Sequence, residues 1–351
     1  MNSRSLSLGS TVLFCALLLP AALAQKPATG EGTSVTLRQA AEARKLLVGT
    51  AVFPEGLQDQ AYAGLLAREF NVLTPENAMK WDAIHPQPNE WTFDAADRLV
   101  EFAAKNHMKV TGHVLVWHQQ LPEYVKSLPA RELRRAMREH IGAVVGRYKG
   151  KVHAWDVVNE AIAVDGSGLR DTVFRQKLGD QYIADAFRLA RQADPQALLF
   201  YNDYGGEGLN QKSDRIYDLV QGLRAQGVPI DGVGLQMHIS ATNPPSDASI
   251  AANMSRLASL GLFVNISEMD IRIRDLPGTV QARLEVQKLQ YHSIVGVCVA
   301  EPRCDGVTFW GFTDAHSWID AQFGADDPLL FDEQYAAKPA FYGVLDAFWR
   351  R

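Results

Sequence analysis

The chain has 351 residues, 47% of them hydrophobic and 21% charged, with a formal net charge of -5. Such a composition can bury a large core and excludes a disordered or fibrous protein. The acidic balance offers no basic field to nucleic acid or anionic lipid, so a neutral ligand suits the chain better than a polyanion.

At the N-terminus, Arg4 precedes an apolar run from about Val12 to Leu23, and Ala22-Leu23-Ala24 stands before Gln25. This is the pattern of a secretory signal, with cleavage expected after Ala24. The run is shorter than the roughly 20 residues that span a bilayer, which argues against a membrane anchor. Bulky Phe14 before Cys15 argues against a lipoprotein. The expected product is periplasmic or secreted and free of the membrane. Residues 25–36 are rich in Gly, Thr, Ser and Pro and read as a disordered leader. From Leu37 onward no linker or shift in composition interrupts the sequence, so residues 37–351 are read as one catalytic-sized domain. Once Cys15 leaves with the signal, Cys298 and Cys304 remain, and a disulfide is expected where oxidising conditions prevail. No CxxC or neighbouring histidine supports a metal at that pair.

Short apolar runs then alternate with longer segments of helical periodicity. The runs lie near Leu46–Val52, Phe70–Leu73, Lys109–Val116, Val152–Val158, Ala197–Tyr201, Gly232–Met237, Leu262–Ile266 and Gly306–Trp310. Between them fall helical segments such as Ala95–Asn106, Ala130–Arg147, Asp180–Gln192, Lys212–Ala225 and Ala282–Val299. Alternation of this kind implies parallel strands with right-handed crossovers. Eight such units predict an α/β fold of the (β/α)8 TIM barrel type, with functional groups at the C-terminal strand ends. The competing doubly wound sheet lacks its GxGxxG after the first strand.

Polar and aromatic groups crowd those ends. The second run leads into Thr74 to Trp81, the third contains His113 to His118, and the fifth leads into Tyr201-Asn202-Asp203-Tyr204. The sixth ends in Gln236-Met237-His238 and the eighth opens Trp310 to Trp318. Carboxylates, amides, imidazoles and indoles facing one mouth suit a carbohydrate, whose hydroxyls need planar hydrogen-bonding partners and whose C–H faces stack on rings. Cleaving a glycosidic bond needs two carboxyl groups, one to protonate the leaving oxygen and one to attack or to activate water. Two strand-like segments end in a glutamate: Trp155-Asp156-Val157-Val158-Asn159 before Glu160, and Leu262 to Ser267 before Glu268. These are the candidate pair.

The segments Thr74–Trp81, His113–Gln120, Trp155–Glu160, Tyr201–Tyr204, Gln236–His238, Ile266–Asp270 and Trp310–Trp318 closely resemble family 10 glycoside hydrolases. These are retaining endo-1,4-β-xylanases built on a (β/α)8 barrel. The resemblance implies that Glu160 is the general acid/base and Glu268 the nucleophile, with His238 and Asp270 orienting Glu268. It implies that Asn159 and Gln236 surround the reacting sugar, and that His113, Trp117 and Gln120 line its subsite. Glu76, Asn77, Lys80, Trp310 and Trp318 match positions on the non-reducing side, and Tyr204 serves the leaving-group side. Trp81, Trp91 and Trp155 are assigned to the core. The expected partners are xylan and xylo-oligosaccharides, with no cofactor, no metal and no nucleic acid, and the enzyme is expected to be a monomer. Ser267, Met269 and Gly205-Gly206 depart from the common family pattern, and the glycines bear on the shape of the leaving-group side. Three other readings compete: the same chemistry on a β-1,4-glucan or aryl cellobioside, a non-catalytic sugar-binding protein, and a metal hydrolase using His113, His118, His238 and His316. The last lacks HExxH spacing.

Overall fold

Eight parallel strands close on themselves in this computed structural model, which describes Met1 and residues 35–349. The signal-like segment, Cys15, the Ala24 cleavage point and almost all of the leader lie outside the described residues, as do residues 350–351. The strands are Leu47–Val52, Val72–Pro75, Lys109–Val116, Ala154–Asn159, Leu198–Asp203, Gly232–Leu235, Phe263–Arg272 and Cys304–Phe309, with a short extra segment at His238–Ser240. Each pairs with its sequence neighbour, and Leu47 opposite Gly306 joins the first strand to the eighth. The (β/α)8 barrel expected from the alternation is therefore the fold.

Local sequence explains the helices between the strands. Thr36 and Gln39 form a reciprocal capping box that starts Leu37–Ala43. Asn210 and Ser213 do the same for Gln211–Ala225. In Asp94–Lys105 the buried residues are Ala96, Leu99, Val100 and Ala103, an apolar stripe at helical spacing that faces the sheet. Trp155 is fully buried, and its ring leaves room at position 112 only for glycine, since a Cβ there would lie 2.2 Å from the indole. Gly112→Ala is accordingly expected to destabilise the fold by about 1–3 kcal/mol, the usual cost of overpacking a core, which a denaturant melt would read.

Most strands shift by a residue or two from the expected limits, and two of the differences shape the site. The seventh was expected to stop near Ile266 but runs on to Arg272, because beyond the barrel it acquires a partner, with His238 paired to Asp270 and Ile239 to Ile271. The sixth was expected to run unbroken to Met237. It stops at Leu235, Met237 takes a left-handed φ of 67°, and the chain resumes extended at His238. A disulfide joins Cys298 to Cys304, as expected. On the chain-entropy model so short a loop contributes roughly 2 kcal/mol, so Cys304→Ser is expected to lower the melting point by several degrees.

Candidate active site

Glu160 stands at the point where the fourth strand ends. Its own φ is 56°, a left-handed value unusual for a side chain of this kind, which turns the chain out of the ladder while its N–H still bonds to Asn202 O at 2.8 Å. Arg170 reaches back and donates from Nε to the Glu160 carbonyl at 2.9 Å, fixing the bend. The carboxyl lines a cleft of about 690 Å³ at the C-terminal barrel mouth. There Glu160 Oε1 accepts from Gln236 Nε2 at 3.3 Å and faces Asn159 Nδ2 at 3.4 Å. Burial raises its pKa above the ordinary carboxylate value; the Trp117 indole opposes this and the charges of Asp203 and Glu268 add to it. Glu160 is thus biased toward the protonated form.

Glu268 lines the same cleft with the opposite bias. Asn202 Nδ2 donates to its Oε1 at 2.6 Å and His238 Nε2 to its Oε2 at 3.1 Å. Burial alone would push this carboxyl up, but the His238 hydrogen bond, the neighbouring His113 and His238 and the Asn202 amide outweigh it, and the pKa is lowered. His238 donates its other nitrogen to Asp270 Oδ2 at 2.7 Å. Burial works against the charge on the imidazole, yet the two carboxylates raise its pKa from 6.5 to about 10. The charged histidine therefore adds stability fully present below pH 6.5 and lost as pH rises through about 10. Removing it with His238→Asn is expected to move the acid limb of the activity profile to higher pH, because Glu268 loses its principal donor.

Every site residue expected from the sequence lines the cleft except Asp270, which lies behind His238 and accepts from Trp318 Nε1 at 2.8 Å. Lys80 is buried, not a solvated charge. Its Nζ donates to Asn77 Oδ1 at 2.9 Å and Gln120 Oε1 at 2.7 Å, and lies 4.8 Å from the Trp117 ring centroid. Burial lowers its pKa, and the charges of Glu268 and Glu76 oppose that. His113 pairs with Asp156 at 2.9 Å and meets Trp310 edge-on. Tyr204 is clamped between cations, with Lys212 Nζ 3.7 Å from its ring and Arg170 donating to its hydroxyl at 3.2 Å. The following Gly205 has φ 68°, a conformation that glycine or asparagine adopts easily, so this departure from the family pattern leaves the turn feasible. His316 packs against Phe53, away from the other histidines of the metal reading, and no group of three or more potential ligands is placed to hold a metal among the described residues.

Asn202 and Arg272 are among the groups at the site that the sequence does not point to. Asn202 bridges Glu268 and Asn159 from the strand-end segment Tyr201–Tyr204. Arg272 lines the cleft with its guanidinium over the Phe323 ring at 4.1 Å, and only the longer seventh strand carries it there.

Residues 36–347 match the model of glycosyl hydrolase family 10. The chain belongs to that family. It is 42% identical over 316 residues to endo-1,4-β-xylanase B of Thermotoga neapolitana, covering 88% of this chain and 90% of that protein. To the endo-1,4-β-xylanase of Geobacillus stearothermophilus it is 42% identical over 318 residues, covering 85% of this chain and 94% of the relative. Among solved structures, xylanase 10B of Thermotoga petrophila RKU-1 in complex with xylobiose superposes with a TM-score of 0.87 at 40% identity, covering 91% and 98% of the two chains. Family 10 membership accounts for the barrel.

Proposed function

We infer that the protein is an endo-1,4-β-xylanase that hydrolyses internal bonds of xylan with retention of configuration, Glu160 serving as acid/base and Glu268 as nucleophile. One observation carries the assignment: two buried carboxyls line one cleft, Glu268 holding hydrogen bonds from Asn202 and His238 that favour its ionised form, while burial biases Glu160 toward the protonated form. The xylanase relatives and the xylobiose complex of a neighbour support the substrate.

Glu268 attacks the anomeric carbon while Glu160 gives its proton to the departing oxygen, so the glycosidic bond breaks as a glycosyl ester forms. Esterification removes the Glu268 charge that helps hold the Glu160 pKa up, and Glu160 can then take a proton from water as that water cleaves the ester. Asn159 and Gln236 bond the reacting sugar, His238 and Asp270 hold Glu268, and Glu76, Asn77, Lys80, Trp310 and Trp318 bind sugars on the non-reducing side. The same proposal has residues 1–24 removed as a signal, 25–36 as a leader, and a monomeric exported enzyme acting on xylan. Mass spectrometry of the exported protein should find Gln25 at its N-terminus. Digestion of xylan and of a mixed-linkage glucan tests the activity. Short xylo-oligosaccharides, initially β at the new reducing end, are expected, whereas xylose released singly from chain ends, or equal turnover of the glucan, would overturn the reading.

A further inference from the structure

We propose that Ser267 is a positioning residue whose hydroxyl sets the direction of the amide array running from the nucleophile to the acid/base. The proposal rests on Glu268 being the nucleophile. An ionised carboxylate only accepts hydrogen bonds, so the Asn202 amide 2.6 Å from Glu268 Oε1 must present its NH2 there. Its oxygen then needs a donor on the far side. Ser267 supplies one, with Oγ donating to Asn202 Oδ1 at 2.6 Å.

With that polarity set, the remaining amides have only one consistent arrangement. Asn202 Nδ2 also donates to Asn159 Oδ1 at 3.0 Å, and Gln236 Nε2 donates to the same oxygen at 3.1 Å. The Asn159 oxygen is thereby committed, leaving its NH2 toward Glu160 and the cleft, where an acceptor on the sugar would meet it. Ser267 thus acts on the substrate through Asn202 and Asn159 without touching it. The backbone is shaped for this reach. Asn202 belongs to the fifth strand and Ser267 to the seventh, and their side chains meet across the intervening sixth strand at Gly234. A Cβ at that glycine would lie 2.3 Å from Asn202 Oδ1 and 3.0 Å from Ser267 Oγ, inside the bond itself.

Without the hydroxyl, the buried Asn202 oxygen loses its donor, and the amide can rotate to set an oxygen against the nucleophile. The matched pair Ser267→Val and Ser267→Thr separates the hydroxyl from the shape of the side chain, and Ser267→Ala provides a smaller variant if valine impairs folding. Ser267→Val and Ser267→Ala should lower kcat about fivefold to tenfold, the worth of one hydrogen bond, with KM within about twofold of wild type. Their acid limb in kcat/KM against pH should move to higher pH, and Ser267→Thr should restore both rate and profile. A threonine variant as impaired as the valine one would assign the residue to packing and overturn the proposal. So would alanine and valine variants with wild-type kcat and acid limb. Assaying Glu268→Gln alongside keeps the two ideas apart: if that variant is inactive while the Ser267 series is unaffected, only the positioning role fails, and if it turns over normally, the nucleophile assignment fails first.

Discussion

Glu268→Ala is expected to lose about 10⁵- to 10⁶-fold in kcat, the scale on which removal of a nucleophile leaves only binding and positioning behind. The substitution should leave the fold intact. His238 keeps its 2.7 Å bond to Asp270, and Asn202 keeps its partners Asn159 and Ser267. The diagnostic result is stereochemical. A small anion such as azide fits the space vacated by the carboxylate and can attack from that face, while Glu160 still protonates the leaving oxygen. A single displacement inverts, so the expected product is an α-configured glycosyl azide in place of the β-sugar. Nuclear magnetic resonance of the product reads this directly. A β-azide from this variant, or turnover within tenfold of wild type without azide, would remove Glu268 from the role.

Much of this site could be read from the sequence because barrel geometry converts position along a strand into position around a mouth. Polar groups in or just after the apolar runs, Glu76, His113, Glu160, Gln236, Glu268 and Trp310 among them, come to one cleft. Asp270 needed only the two-residue period of extended chain to reach His238 on the same side as Glu268. Relations across strands were hidden, because they depend on register, which periodicity does not supply. Asn202 meets Ser267 only because Gly234 is the residue between them, and no local signal marks that glycine. Arg272 was missed for a related reason: its strand extends beyond the barrel only by pairing with a segment that follows the left-handed Met237. The left-handed turn at Glu160 was equally invisible, being held by Arg170 ten positions along the chain.

The acid/base assignment makes the second large prediction, and it depends on the substrate. Glu160→Ala should lower kcat/KM on xylan by about 10²- to 10⁴-fold, the range that a positioned proton donor contributes. On an aryl xylobioside whose phenol departs readily without protonation, formation of the glycosyl ester should be nearly unimpaired. Hydrolysis of that ester should remain slow, because no base activates the water. The variant should therefore release a burst of phenol equal to the enzyme present, followed by slow turnover. The pH profile supplies a separate reading. In the wild-type enzyme, activity should rise as Glu268 ionises below the ordinary carboxylate range and fall as Glu160 loses its proton above it, giving a bell. In the variant the alkaline limb should vanish while the acid limb persists, because Glu160 is still protonated, and so uncharged, over the range in which Glu268 ionises. Azide should restore turnover with a β-configured product, since it attacks the glycosyl ester from the face where water would have entered. An alkaline limb that survives the loss of Glu160 would require a different proton donor.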